Sequence, residues 1–198
     1  MNITVFDYGA GNLHSLVKAL EAGGARVRVT PDPIDALVGD ALVLPGVGAF
    51  APAARALEPG RERVRGALAA GHPCLGICLG MQLLFDGSDE GPGAGLGLVA
   101  GRVTRLDATR VPQIGWNALE DTDDDLFRTA PITHAYYANS YACRPDDATH
   151  AIAWSRHDSD RFVAGVRRGR TVGVQFHPEK SSRAGVAFVH AWLAEVSR

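Results

Sequence analysis

A glycine-flanked cysteine between two apolar segments is the feature that most limits how this chain can fold. The sequence GICLG occupies residues 76–80, after the apolar run that starts at residue 73 and before the one that ends at residue 85. This pattern predicts a strand, a sharp turn centred on Cys78 and then a helix, with small neighbours that relieve crowding in a strained backbone. The turn would place the sulfur at a helix N-terminus, where the helix dipole favours a thiolate. Cys78 is therefore a candidate nucleophile, and the amide of Leu79 is a candidate donor to an oxyanion.

A candidate base and its orienting carboxylate occur much later, in the sequence FHPE at residues 176–179. His177 and Glu179 follow the apolar run 171–175, and in an extended segment residues two apart point to the same side. Pro178 fixes its own φ and biases His177 toward an extended backbone. The order Cys, His, Glu thus supplies a nucleophile, a base and an orienting group.

The rest of the pattern predicts an α/β fold, with a doubly wound, mostly parallel sheet flanked by helices and antiparallel strands added in the second half. Buried strands are predicted at residues 3–6, 25–30, 41–44 and 73–77. Helices are predicted at residues 13–22, 53–70, 79–85 and 184–196, the second with a break near Pro59 and Gly60. Short strands separated by turns are predicted at residues 96–106, 151–156, 162–168 and 171–175, with a hairpin turn at residues 168–170.

Composition narrows the class of protein. The 198 residues are 46% hydrophobic and 21% charged, with a net charge of −2, as expected for one globular domain spanning residues 1–198. We expect no nucleic-acid partner because no basic run is longer than the pair Arg167-Arg168. We expect no membrane span because no apolar stretch is long enough. The N-terminus enters a strand pattern without a basic leader, and there are only three cysteines. A cytoplasmic protein without a disulfide framework is therefore expected.

Two glycine-containing loops could be mistaken for nucleotide-binding motifs. The sequence PGVGAF at residues 45–50 lacks the Lys-Ser/Thr of a P-loop and the third glycine of a dinucleotide fingerprint. We interpret its backbone, at Gly46, Val47 and Gly48, as a source of amide donors that completes an oxyanion hole. The sequence DYGAGN at residues 7–12 has no following phosphate-anchoring pattern.

Metal and cofactor sites have little support in the sequence. No Cys or His pair has ligand spacing, and the acidic segment 121–125 is interpreted as a solvated turn, so no metal or cofactor is expected. Cys74 and Cys143 lack glycine neighbours and are interpreted as buried structural residues.

The sequence GICLGMQ at residues 76–82, together with FHPE at residues 176–179, resembles the class I, triad-type glutamine amidotransferases. Residues 7–12, 45–50, 111–117 (VPQIGWN) and 177–181 (HPEKS) are similar to the glutaminase subunits of imidazole glycerol phosphate synthase. The resemblance implies that Cys78 attacks the side-chain amide of L-glutamine to form a thioester, with His177 as base and Glu179 orienting the imidazole. It also implies that ammonia passes to a (β/α)8-barrel cyclase subunit, which makes imidazole glycerol phosphate and aminoimidazole carboxamide ribotide in histidine biosynthesis.

The same resemblance assigns roles to further residues of this chain. The oxyanion would be held by the amides of Val47 or Gly48 and Leu79. The implied glutamine-binding residues are Gly46, Gln82, Glu90, Ser140 and Tyr141. The implied contacts with the cyclase are Asn12, Trp116 and Lys180.

The chain departs from the family pattern at two places. Gln113 stands where the best-known members carry histidine, and Tyr-Ala-Asn at residues 137–139 stands where they carry Phe-Val-His. Neither departure touches the candidate triad.

Three alternatives remain open from the sequence. A glutaminase of another class I amidotransferase usually has histidine in place of Met81 and lacks the GWN sequence at residues 115–117. A cysteine peptidase or γ-glutamyl hydrolase would leave Lys180 and Ser181 unexplained. A non-catalytic regulatory subunit on the same fold would have no need of an intact triad.

Overall fold

The computed structural model describes residues 1–9 and 13–198. Over these residues the first half alternates strands and helices, and the second half is rich in strands. The helices are α1 (His14–Ala22), α2 (Phe50–Leu57), α3 (Arg61–Ala69), α4 (Leu79–Gln82), α5 (Asp125–Thr129) and α6 (Ser182–Val196). The strands are β1 (Asn2–Phe6), β2 (Arg26–Thr30), β3 (Ala41–Leu44), β4 (Cys74–Ile77), β5 (Gly87–Ser88), β6 (Gly101–Arg105), β7 (Gln113–Ala118), β8 (His134–Asn139), β9 (Tyr141–Pro145), β10 (Ala151–His157), β11 (Asp160–Arg168) and β12 (Thr171–Val174).

The central sheet has the strand order β10-β11-β12-β4-β3-β1-β2. From β12 to β2 every neighbouring pair is parallel, whereas β10, β11 and β12 pair antiparallel. A two-residue turn joins β11 to β12, with Gly169 at a φ of +58° and Arg168 opposite Thr171. The predicted fold class and the predicted hairpin are both confirmed. The strand β12 belongs to both parts of the sheet, because it is antiparallel to β11 and parallel to β4.

The parallel strands are covered on both faces, which is why they are continuous apolar runs rather than alternating ones. All four residues of β3 and of β4 are buried. Successive residues face opposite cores: Val43 and Leu75 pack with Phe188 and Trp192 of α6, whereas Leu42 packs with α2 and α3. In the described part of the chain no helix is both long enough and apolar enough to cross a membrane.

Several boundaries differ from those predicted. The predicted helix over residues 53–70 is divided into α2 and α3 by a turn of 3-10 helix at Glu58–Gly60, as the Pro-Gly signal indicated. Of the predicted strand 96–106, only residues 101–105 form a strand, and Gly97 has a φ of +58°. The hairpin of β7 and β8, the strand β9 and the helix α5 were not predicted.

Candidate active site

Three neighbouring parallel strands end at one edge of the sheet, and each is followed by part of the candidate site. Cys78 follows β4, His177 follows β12 closely, and the loop of residues 46–48 follows β3. The strands β12, β4 and β3 are adjacent, with Val174 opposite Ile77 and Leu44 opposite Gly76. Segments far apart in sequence therefore meet because the carboxyl ends of parallel strands share an edge.

Cys78 occupies the sharp turn that the sequence predicted. Its φ of 46° and ψ of −102° lie outside the regions that L-residues normally adopt, and it directly precedes α4. The turn is held by a 2.7 Å hydrogen bond from the Cys78 amide to the carbonyl of Val174. A Cβ at Gly80 would lie 2.0 Å from the carbonyl oxygen of Leu44, so only glycine allows α4 to approach β3 this closely. The strained conformation is thus fixed by its surroundings.

The His177 ring is hydrogen-bonded to Glu179, with 2.8 Å between Nδ1 and Oε1. Their side chains are only 2% and 8% exposed. The expected backbone was wrong in one respect: His177 is extended, with a φ of −100° and a ψ of 93°, but Glu179 lies in a turn of 3-10 helix at Pro178–Lys180. The carboxylate therefore reaches the ring from a turn and not from the same face of a strand.

The lack of a side chain at Gly46 leaves room for the His177 ring. A Cβ at Gly46 would lie 2.8 Å from Cε1 and 3.1 Å from Nδ1 of His177, and 2.9 Å from Cγ2 of Ile77. These distances are shorter than an ordinary carbon–carbon contact. The absence of a side chain at position 46 is therefore needed for the ring to pack against this loop.

Two acidic groups face the His177 imidazole. Burial by itself lowers the pKa of His177, but the nearby Cys78 and the hydrogen-bonded carboxylate of Glu179 raise it, to about 10 overall. Because Nδ1 is taken by Glu179, Nε2 is the ring nitrogen left to meet the sulfur. The ring therefore holds its proton through the neutral pH range, next to both acidic groups.

Most of the sequence-predicted site residues surround one cleft of about 220 Å³. The cleft is lined by Gly46, Val47, Gly48, Cys78, Leu79, Gln82, Glu90, Ala138, Asn139, Ser140, Tyr141, His177 and Lys180. Glu179 lies behind His177 and does not line it. Lys180, expected at a partner surface, also forms part of the cleft wall. Asn139 belongs to the segment that the resemblance assigns to glutamine recognition, whereas Ala138 was assigned no role from the sequence.

Three of the predicted glutamine-binding residues in the cleft wall are held in place by hydrogen bonds to the backbone of other segments. The side-chain amide of Gln82 donates to the carbonyl of Tyr141 at 3.2 Å. The carbonyl of Ser140 accepts from the amide of Leu106 at 3.0 Å. Glu90 accepts from the amide of Phe50, the first residue of α2, at 2.9 Å.

Sequence reasoning missed Gln175, which is fully buried beside the sulfur. Its Nε2 donates to Sγ of Cys78 at 3.4 Å, and its Oε1 accepts from Gln82 at 3.4 Å. A signal for it was present, since a glutamine between Val174 and Phe176 interrupts an apolar run and must find partners when buried.

Ser181 was named only as part of the HPEKS sequence, and the contact it makes at the N-cap position of α6 was not predicted. Its hydroxyl does not cap that helix and instead donates to the carbonyl of His177 at 2.7 Å. The same oxygen accepts from the amide of Tyr136 at 2.9 Å, and the amide of His177 donates to the carbonyl of Tyr136 at 2.8 Å. The backbone of His177 is thereby fastened to β8.

An exposed aromatic surface lies next to the cleft, on the outer face of the β7–β8 hairpin. Trp116 is 55% exposed and contacts Tyr136 edge to face, with 6.4 Å between the ring centroids. Lys180 Nζ lies 6.0 Å from the Tyr136 ring centroid, and Ile114 on the same face is 68% exposed. Of the three residues expected at a partner surface, Trp116 and Lys180 are thus close together, and Asn12 lies outside the described residues.

The two departures from the family pattern are neighbours in space. Gln113 of β7 and Asn139 of β8 are directly opposite each other in the hairpin and are both buried. Asn139 also donates to the carbonyl of Tyr141 at 3.0 Å. The departures therefore share one place, on the inner face of the hairpin.

The other cysteines are buried free thiols. Burial raises the pKa of Cys74, and burial together with the charge of Cys78 raises the pKa of Cys143. Both thiols are therefore poor nucleophiles, in agreement with a structural role. Within residues 1–9 and 13–198, no three His, Cys, Asp or Glu side chains are grouped so that they could hold a metal ion.

Comparison with known proteins agrees with this arrangement. The model of the class-I glutamine amidotransferase family matches residues 4–193. The imidazole glycerol phosphate synthase subunit HisH of Thermus thermophilus is 46% identical over 194 residues, covering 96% of this chain and 95% of the relative. The subunit of the same name from Microcystis aeruginosa is 42% identical, covering 99% and 96%.

A solved structure supports the fold alone. A chain in the structure of PurLQS from Thermotoga maritima has a TM-score of 0.78 at 22% identity, with 98% of both chains covered. The sequence relatives carry the finer assignment: this chain belongs to the class-I glutamine amidotransferases, in the family of the HisH subunits of imidazole glycerol phosphate synthase.

Proposed function

We propose that this chain is a glutaminase subunit that hydrolyses L-glutamine to glutamate and ammonia, with Cys78, His177 and Glu179 as its catalytic triad. The observation that carries the proposal is the His177 ring, which is hydrogen-bonded to Glu179 and lines the same cleft as Cys78. A cysteine in a strained turn, a base and an orienting carboxylate are the parts that acyl transfer through a thioester requires. We assign no cofactor or metal to this chemistry.

The reaction follows from this arrangement. His177 takes the proton of Cys78, and the thiolate attacks the side-chain carbonyl carbon of glutamine. The carbonyl oxygen becomes an oxyanion, which the amides of Leu79 and of Val47 or Gly48 stabilise from the cleft wall. Collapse of this intermediate breaks the C–N bond, His177 gives its proton to the leaving nitrogen, and ammonia departs. Water then attacks the thioester, with His177 as base, and releases glutamate and the Cys78 thiol.

Glutamine is proposed to lie with its reacting amide at Cys78 and its amino-acid end toward Glu90. The Glu90 carboxylate suits an α-ammonium group. The remaining contacts would come from Gly46, Gln82, Ser140 and Tyr141, which line the same cleft. The site would thus recognise both ends of the substrate.

The ammonia is proposed to pass to a cyclase subunit that is a (β/α)8 barrel. Relatives that are 42–46% identical are named as subunits of imidazole glycerol phosphate synthase, which supports a heterodimer that makes imidazole glycerol phosphate and aminoimidazole carboxamide ribotide in histidine biosynthesis. We place the contact on the surface of Ile114, Trp116, Tyr136 and Lys180, because exposed aromatic and cationic groups of this kind anchor interfaces. Asn12 is assigned to the same contact from the sequence alone.

We further propose that residues 1–198 form one domain and that the protein works in the cytoplasm. The family match over residues 4–193 supports the first statement. The three free, buried cysteines support the second, because disulfides are rare in a reducing compartment.

The proposal is tested with the chain and its cyclase purified together. We expect the complex to release glutamate from glutamine, and Cys78→Ala to abolish this release while cyclisation driven by added ammonium salt continues. Cys74→Ala is the matched control, since it removes a buried free thiol that does not line the cleft. Glutamate release by the Cys78→Ala complex at the parent rate would refute the triad, and loss of the ammonia-driven reaction would refute the division of labour.

The isolated chain is expected to be a poor glutaminase. Gly48, with a φ of +120°, and Gly46 let the oxyanion loop change conformation at small steric cost, so the working geometry can depend on the partner. Equal glutaminase rates for the subunit alone and for the complex would contradict this coupling.

A further inference from the structure

The N-terminus of α2 has no cap from its own N-cap residue. Ala49 has the extended backbone of an N-cap residue, with a φ of −101° and a ψ of 152°, but its methyl group cannot accept a hydrogen bond. Pro52 has no amide hydrogen, and the amide of Ala53 donates to the carbonyl of Ala49 at 3.4 Å. The amide of Phe50 instead donates to Oε2 of Glu90 at 2.9 Å. A carboxylate forty positions along the chain therefore satisfies the first amide of α2, whereas the side chain of residue 49 satisfies none.

This hydrogen bond fastens the proposed oxyanion loop to the substrate cleft. Phe50 comes two residues after Gly48, and Glu90 and Gly48 line the same cleft. Glu90 is itself held in place, because its amide donates at 3.1 Å to the hydroxyl of Ser88, a buried residue of β5. The position of the loop at the start of α2 is thereby tied to β5.

We infer that Glu90 is a positioning residue for the oxyanion loop in addition to its part in binding glutamine. This inference rests on the proposed function, since it assigns a second task to a residue of the same cleft. A carboxylate has two oxygens, so Oε2 can hold the Phe50 amide while Oε1 meets the α-ammonium group of the substrate. The group that recognises glutamine would then also hold the loop that stabilises its oxyanion.

The two tasks can be separated by substitution. Glu90→Gln keeps a carbonyl oxygen for the Phe50 amide but loses the charge. Glu90→Ala loses both the oxygen and the charge. Adding Ala49→Ser to Glu90→Ala restores a local cap, because a serine at this extended position can accept from the amide of Ala51. Asp89→Ala is the control, since this neighbouring carboxylate is exposed and pairs with Arg102 away from α2.

The measurements are kcat and KM for glutamate release by the complex, and amide hydrogen exchange of residues 46–57. For Glu90→Gln we expect a raised KM, a kcat within about twofold of the parent and parental exchange, because the cap is kept. For Glu90→Ala we expect the raised KM together with a kcat about fivefold lower and faster exchange, the effect of losing one helix cap. In the Ala49→Ser, Glu90→Ala double variant, exchange protection within α2 should recover in part, because the serine caps the amide of Ala51. Its kcat should stay low and its KM high, because the amide of Phe50 is still not tied to residue 90. Asp89→Ala should match the parent in all three quantities.

Two results would overturn the inference. One is a Glu90→Ala complex with parental kcat and parental exchange in residues 46–57. The other is a Glu90→Gln complex that loses as much kcat and protection as Glu90→Ala, because the charge alone would then account for the effect. Failure of the proposed function would look different, since the parent complex would then release no glutamate, and the exchange measurement would still test the cap.

Discussion

Replacing Gly46 with alanine would press a methyl group against the His177 ring. The added Cβ would lie 2.8 Å from Cε1 of that ring, so the ring or the loop must retreat by about 0.7 Å to reach an ordinary contact. The ring cannot retreat freely, because its Nδ1 is hydrogen-bonded to Glu179 at 2.8 Å. A shift of the same size along that bond would lengthen it to the limit of a hydrogen bond.

We expect Gly46→Ala to lower the rate of catalysis more than the stability of the fold. A displacement near 1 Å of a catalytic group lowers rates about 100-fold, so we expect the glutaminase kcat of a Gly46→Ala complex to fall by one to two orders of magnitude. Overpacking of a tight site should lower the free energy of unfolding by about 1–3 kcal/mol. Cyclisation driven by added ammonium salt should continue, because that reaction does not use His177.

The assay is glutamate release by the complex, with urea unfolding of the subunit measured alongside. Gly66→Ala is the matched control, since Gly66 lies in α3, a Cβ added there would have nothing within 4 Å, and the variant should gain helix stability. A Gly46→Ala complex with parental kcat would refute the account of this close approach.

Three further predictions concern charge and hydrogen bonding around the site and the fold. Because the pKa of His177 is raised above 6.5 to about 10, its protonated form adds stability that is complete below pH 6.5 and is lost as pH rises toward 10. The difference in free energy of unfolding between the parent and His177→Gln should therefore shrink between pH 6.5 and pH 10. NMR titration should give a lower pKa for His177 in Cys78→Ala than in the parent. A pH-independent difference and an unchanged pKa would show that the protonated ring is not stabilised by Cys78 and Glu179. Arg167→Ala should lower the free energy of unfolding by about 3 kcal/mol, because the side chain of Asp124 loses two hydrogen bonds of 2.7 and 2.8 Å. It should leave kcat unchanged, because Arg167 does not line the cleft. An unchanged urea midpoint would contradict this prediction. Ser181→Ala should lower the free energy of unfolding in urea by about 2 kcal/mol and reduce glutaminase kcat, since the amide of Tyr136 loses its partner and the carbonyl of His177 loses one of its donors. A parental kcat would show that this link does not position the ring.

The parallel part of the sheet could be predicted because its strands are buried on both faces. Strands such as β3 and β4 are continuous apolar runs, and their adjacent carboxyl ends bring Cys78 and the residue 46–48 loop together. Which residues line the cleft could be predicted from this topology and from the family resemblance. The hydrogen-bond partners of individual side chains could not be predicted, because the contacts of Gln175 and Ser181 depend on exact backbone positions.

The hairpin of β7 and β8 could not be predicted from the sequence because of the side chains on its two faces. Its outer face carries the exposed side chains of Ile114 and Trp116, whereas Gln113 and Asn139 are buried on the inner face. Along β7 the usual alternation of apolar inside and polar outside is therefore reversed, and Gly115 has a φ of +127° within this strand. Such a reversal is expected where an outer face is covered by another protein, which a single-chain pattern cannot reveal.

The most direct test of the central claim is intact-mass analysis of the complex after rapid acid quenching with glutamine. The account predicts a transient adduct of one glutamyl group that maps to Cys78 and is absent from Cys78→Ala. If the parent complex released glutamate in many turnovers while no adduct formed on Cys78, or if the adduct mapped to Cys74 or Cys143, the proposed nucleophile would be wrong.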